Sequence, residues 1–161
     1  MTELNQSTLR GILAQILSVD AKYVVPKQGN WFNPQEYAEK PSDWCAYRIK
    51  SNRPRTAPFY NETETKNRVC VEKIADIELQ FVGPNSETIA QNVATWPLRS
   101  DVKDKFQTVQ GAILYDDLSA FSTSFYQDGT NNVMAWNVNI RVVWVSILET
   151  SQQRLSSVEI F

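Results

Sequence analysis

The chain contains no histidine. That absence removes the commonest general base near neutral pH and the commonest transition-metal ligand, and with them triads of the Ser-His-Asp or Cys-His kind. Cysteine is almost as scarce. Cys45 and Cys70 lie far apart without a C-x-x-C partner, too few to build a structural zinc site by themselves. Both read as small apolar thiols on strands, kept reduced. Only five glycines occur, and neither G-x-x-x-x-G-K-[ST] nor G-x-G-x-x-G is among the motifs they make. Nucleotide hydrolysis therefore has no support. A general excess of basic charge is also missing: the net charge is −2 and the pI is near 5.2. Nothing pulls such a chain toward phosphate backbones or anionic lipid. No apolar run approaches the length of a membrane span, and the opening MTELNQSTLRGILAQILSV lacks a basic n-region and a small-residue cleavage site. The expectation is a chain that stays in the cytoplasm and makes no membrane contact, where the N-x-S/T tripeptides at Asn5 and Asn61 meet no glycosylation machinery.

What remains is enough for one hydrophobic core: 161 residues, 42% hydrophobic and 21% charged. One domain over residues 1–161 is expected. Leu9, Ile12, Leu13, Ile16 and Leu17 follow helical spacing and place an amphipathic helix over about residues 7–19, with Ser7 or Thr8 as its cap. Pro26, Gly29, Pro34 and Pro41 then interrupt a polar stretch, so residues 23–43 read as an irregular loop that carries Tyr23, Trp31, Phe32 and Tyr37. Residues 52–67, NRPRTAPFYNETETKN, read as a second irregular loop, with two prolines, charges of both signs and few aliphatics.

Strands are legible from alternation. Cys45, Tyr47 and Ile49 face one way between Asp43 and Lys50, and Trp44, Ala46, Arg48 and Lys50 the other. From Arg68 to Val82 the odd positions are apolar except Lys73, and the even ones carry Glu72, Asp76 and Glu78. Gly83-Pro84 ends that strand, and Ile89, Val93 and Trp96 mark the buried side of a helix capped by Asn85 or Ser86 and stopped before Pro97. Ser100 opens another short helix with Val102 and Phe106 inward. Ala112 to Tyr115 reads as a short strand. A β-hairpin follows, from Ala120–Tyr126 through DGTNN at 128–132 into a return strand from Val133 to Leu148. Residues 151–161 trail off as a polar tail with Val158, Ile160 and Phe161 at its tip.

The remaining candidates for chemistry are carboxylates. Asp116 and Asp117 are adjacent, so on a strand they point to opposite faces, and the polar strand end is the better reading. Glu72, Asp76 and Glu78 share a face on which they can pair with Arg48 or Arg141, or form a surface that repels DNA. No catalytic residue, cofactor or metal site is assigned, and the chain is read as not an enzyme. The main alternative is a binding module in which Trp31, Phe32, Tyr37 and Trp44 form an aromatic platform for a glycan or peptide.

The amphipathic LRGILAQILSV, the strand VEKIADIELQFVGP leading through G-P-N-S into SETIAQNVATW, and the closing FSTSFYQDGTNNVMAWNVNIRVVWV together resemble the tail terminator or neck proteins of tailed bacteriophages. The resemblance implies an α+β fold in which an N-terminal helix and one or two others pack on one face of a mixed, mostly antiparallel sheet. It also implies a homo-oligomeric ring, a hexamer, in the neck of the virion. Such a ring ends the tail tube, meets the tube protein and the head-tail connector or neck proteins, and lets DNA pass as cargo; it is assembled in the host cytoplasm. A closed ring needs two different lateral patches. Loop composition nominates Arg53, Arg55, Phe59 and Tyr60 in the second loop, Asp128, Asn131 and Asn132 at the hairpin tip, and Ile160 and Phe161 in the tail.

Overall fold

A computed structural model describes residues 3–27, 43–62, 66–115, 118–123, 125–127 and 131–151. The first helix, α1 (Gln6–Leu17), buries Leu9, Ile12, Leu13 and Ile16, the stripe its spacing predicts. Its cap differs from the expectation. Asn5, with extended backbone, accepts the N–H of Thr8 at 2.9 Å on its Oδ1, so Ser7 and Thr8 lie inside the first turn. An Asn at this position reaches the third amide ahead as well as a hydroxyl would. Ser18, at φ 55°, closes the other end by turning its N–H back to the carbonyls of Ala14 and Gln15.

A 3-10 turn at Ala21–Tyr23 leads into β1 (Val24–Pro26), which pairs parallel with β2 (Trp44–Pro54). Residues 24–26 of the expected first loop are therefore strand, because Val24 and Val25 find a partner to pair with; residues 28–42, with Trp31, Phe32 and Tyr37, lie outside the described residues. The second expected loop, 52–67, is corrected more strongly. β2 runs through residues 52–54, and after a break at 55–58 the chain resumes as β3 (Phe59–Glu62) before β4 (Lys66–Val82). Both β2 and β3 pair antiparallel with β4, Pro54 opposite Lys73 and Phe59 opposite Cys70. The break is thus a wide bulge in one long hairpin, with Arg55 N–H donating to the Glu72 carbonyl at 2.7 Å. A long partner strand overrides a proline-rich composition, since the prolines sit at the bulge and at a strand end where no ladder bond is lost.

Gly83, at φ 130°, turns the chain into α2 (Ser86–Asn92). The helix does not stop before Pro97 but tightens into a 3-10 turn, Val93–Leu98, that includes it. Then come α3 (Ser100–Phe106), a 3-10 turn at Gln107–Val109, and the short strands β5 (Ala112–Ile113) and β6 (Phe121–Ser122). β7 (Phe125–Gln127), β8 (Asn131–Val133) and β9 (Ala135–Ser151) complete the described regular structure. The closing hairpin is present, in one register from Phe121 opposite Asn137 to Gln127 opposite Asn131. Asn131 and Asn132, expected in its turn, belong to β8 instead.

The main sheet runs β1-β2-β4-β9-β5, with β3 beside β4 and β6 beside β9; among the described residues only β1 is parallel to its neighbour. This is the expected α+β arrangement. Ala75, Ile77, Leu79 and Phe81 of β4 and Val138, Ile140, Val142 and Trp144 of β9 join Leu9, Leu13, Val93, Trp96 and Phe106 from the helical side in one core. Lys73, which breaks the apolar row, stands opposite Trp144 with its Nζ 5.4 Å from the ring centre. A cation over an indole face lets a charged residue share an apolar row.

Candidate assembly surfaces

The sheet face opposite the helices begins apolar and becomes charged. Val25, Trp44, Ala46, Val82 and Ala135 pack together at the end where β2 starts and β4 finishes. Trp44 is buried there, so it does not take part in an exposed aromatic platform. Farther along β4, Glu78 is enclosed by donors: Lys27 Nζ at 2.5 Å, Arg48 Nη2 at 2.7 Å, Asn137 Nδ2 at 3.0 Å, with Lys50 Nζ at 3.8 Å. Burial alone would raise its carboxyl pKa; the hydrogen bonds and charges of Lys27 and Arg48 outweigh that and hold it below the ordinary carboxylate value. Asp76 follows the same logic. Burial pushes its pKa up, while Ser51, Arg53 and Arg141 bring it down by more.

The pairing of Asp76 with Arg141 and Glu78 with Arg48 matches the cross-strand reading of the sequence. The idea that this row forms a repelling acidic surface is overturned. Around Asp76 and Glu78 stand Lys27, Arg48, Lys50, Arg53 and Arg141, a local excess of positive charge on a chain of net charge −2. Strand pairing gathers these cations from β2, from β9 and from the chain just after β1, which is why no stretch of sequence looks basic. Lys50, at the bulge between Ile49 and Ser51, and Arg141 help line an open concavity of about 550 Å³ together with Asp76, Asn139 and Leu118.

A second surface follows from lengths. β4 and β9 have 17 residues each, about 55 Å at strand rise, whereas the 12 residues of α1 span about 18 Å. Helices of this size cannot cover such strands. Beyond Lys73 and Trp144 the sheet continues as a three-stranded arm of β3, the start of β4 and the end of β9. Tyr60, Val69 and Leu148 form one row across it on the helix-facing side, and Phe59, Cys70 and Ile147 the next row on the other. Leu148 is 64% exposed, Tyr60 56% and Phe59 49%. Among the described residues, the outer edge of β9 past Val143 is paired with no strand.

The nominated contact residues divide accordingly. Phe59 and Tyr60 come together on the arm. Arg53 and Arg55 lie nearer the middle of the sheet, ion-paired to Asp76 and Glu72. Asn131 and Asn132 are strand residues of β8, and Asp128, Ile160 and Phe161 lie outside the described residues, as do the adjacent carboxylates Asp116 and Asp117. Leu148 is a further arm residue that loop composition does not nominate. Composition points the other way: Val142 to Leu148, apolar at nearly every position, reads as fully buried strand, but the short helices do not reach its end and Leu148 stays exposed.

Among the described residues no three Cys, Asp or Glu side chains converge as metal ligands, and no helix is long and apolar enough to cross a membrane. Burial pushes the Cys45 thiol pKa far up, the setting of an inert packing residue rather than a nucleophile. The sequence model of the phage neck terminator protein family matches residues 7–160, nearly the whole chain. The chain belongs to that family. No curated protein that was searched matches it. A phage neck terminator is a structural protein of the tail, and membership implies contacts with other tail and neck proteins in the virion. For such a protein the arm and the charged face, rather than any cleft, are the surfaces to explain.

Proposed function

We propose that this neck terminator acts as one non-catalytic domain that closes into a homo-oligomeric ring, a hexamer. The ring ends the tail tube, joins it to the head connector and passes DNA through its lumen; it is assembled in the host cytoplasm before taking its place in the virion. The observation that carries this reading is the family match over residues 7–160. The exposed arm supports it, since a monomer has little reason to hold Tyr60 and Leu148 in water on rigid strands. The charged face offers a surface for acidic neighbours of the tube or connector, and its exposed Lys50, Arg53 and Arg141 make such contacts salt-dependent.

Deleting the gene from its phage tests the proposal. The expected result is tails of uncontrolled length, or finished tails that fail to join heads. Tails of normal length joined to heads would refute it.

A further inference from the structure

Strand β9 outruns its neighbours on one side. β5 ends against Val142 and Val143, and from Trp144 to Ser151 the outer edge pairs with no strand among the described residues. The inner edge stays in register with β4 throughout, down to Lys66 opposite Ser151. The direction of the edge groups follows from the bonds nearby. Arg141 accepts the N–H of Leu114 at 2.9 Å and Ala135 that of Thr123 at 2.8 Å, so odd-numbered residues of β9 turn their backbone groups outward. The ladder with β4 has no bulge over this length, and the same orientation carries on to Val145, Ile147, Glu149 and Ser151. Such an edge is a template for another strand. Residues 152–161 follow it directly and include Val158, Ile160 and Phe161, the β-branched and aromatic types that strands favour.

We infer that residues 152–161 turn back and pair antiparallel with the outer edge of β9 in the same copy, as a further strand of the arm. The segment starts where the edge ends, so closing the turn costs the entropy of a few residues, whereas a strand from elsewhere must first be brought there. After a turn of two or four residues, the remainder matches the edge from Trp144 to Ser151 in length. The backbone agrees: such a turn has a hydrogen-bonded pair at its base, and Ser151 already faces outward. Either turn sets Val158 and Ile160 on the face of Val145 and Ile147, where one of them extends the row of Phe59, Cys70 and Ile147. Leu148, on the other face, gains Ser157 or Glu159 beside it and stays available to other tail proteins. The edge itself is closed to open-ended strand addition, so contacts between proteins fall to side chains rather than to unpaired backbone.

Amide hydrogen exchange in the full chain, read residue by residue by NMR, tests this. The N–H groups of Ile147 and Glu149 face the outer edge, and those of Ser146 and Leu148 face β4. Both sets are expected to be protected. Truncation after Ser151 should speed exchange at Ile147 and Glu149 by about tenfold or more and leave Ser146 and Leu148 slow. Val158→Pro in the full chain removes an N–H that points at β9 after either turn and should have the same effect; it carries the test if the shortened chain does not fold. Fast exchange at Ile147 and Glu149 in the unaltered protein overturns the inference, as does protection that survives both changes. Protection that grows with protein concentration overturns it too, since the strand would then come from another copy.

Discussion

Replacing Glu78 by Gln isolates the buried charge at the centre of the charged sheet face. The side chain keeps its shape, but Lys27, whose side chain is 12% exposed, loses the carboxylate 2.5 Å from its ammonium. Arg48 at 29% and Lys50 at 45% exposure have water to turn to. Removing one partner of a buried pair costs about 3–5 kcal/mol; with the partly exposed cations free to relax, about 2–3 kcal/mol is expected at pH 7. For a chain of this size, with a urea slope of about 2 kcal/mol per molar, the midpoint should fall by about 1–1.5 M. The pH dependence gives the sharper test. Because folding lowers the pKa of Glu78, its stabilising effect is complete above the unfolded value of about 4.3 and is lost as pH falls through the folded one. The stability gap between wild type and Glu78→Gln should be flat from about pH 5 to 8 and close as the solution becomes more acidic. Asp76 titrates in the same direction but is present in both proteins and cancels. Urea titrations at a series of pH values decide it. A gap that persists at the acid end, or is absent at pH 7, would show that the cation cluster is not held by this carboxylate.

Three further substitutions probe how the frame is held. Asn5→Ala removes the cap on Thr8 and should cost about 1 kcal/mol in denaturant titration, while Ser7→Ala should cost far less. Trp144→Phe forfeits the indole N–H donated to Asn52 Oδ1 at 2.8 Å; a loss of about 1–2 kcal/mol is expected, reduced when Asn52 is changed as well, which a double-mutant cycle measures. Gly83→Ala places a side chain at φ 130° and should lower stability by about 1–3 kcal/mol in thermal unfolding with the secondary structure kept.

The elements of this neck terminator are legible wherever one period dominates. The stripe from Leu9 to Leu17 requires a helix, and the alternation on either side of Lys73 requires a strand with one face inward, because each pattern sends its apolar side chains to a single side only at its own period. The closing hairpin can be read from its turn formers. The missing histidines and sparse glycines by themselves weigh against most catalytic designs. Three things depend on residues distant in sequence. Residues 52–54 and 59–62 of the proline-rich stretch become strand because β4 is there to pair with them. Lys27, Arg48, Lys50, Arg53 and Arg141 become one electropositive face only when β1, β2, β4 and β9 are brought side by side. The arm emerges from a mismatch between 17-residue strands and short helices. Period and composition are local and act within a few residues, so the sequence alone determined which segments form helix or strand with one face inward and which side-chain types are missing. Pairing partners, local charge balance and the uncovered end of the sheet are sums over the whole chain, and only the tertiary structure decided them.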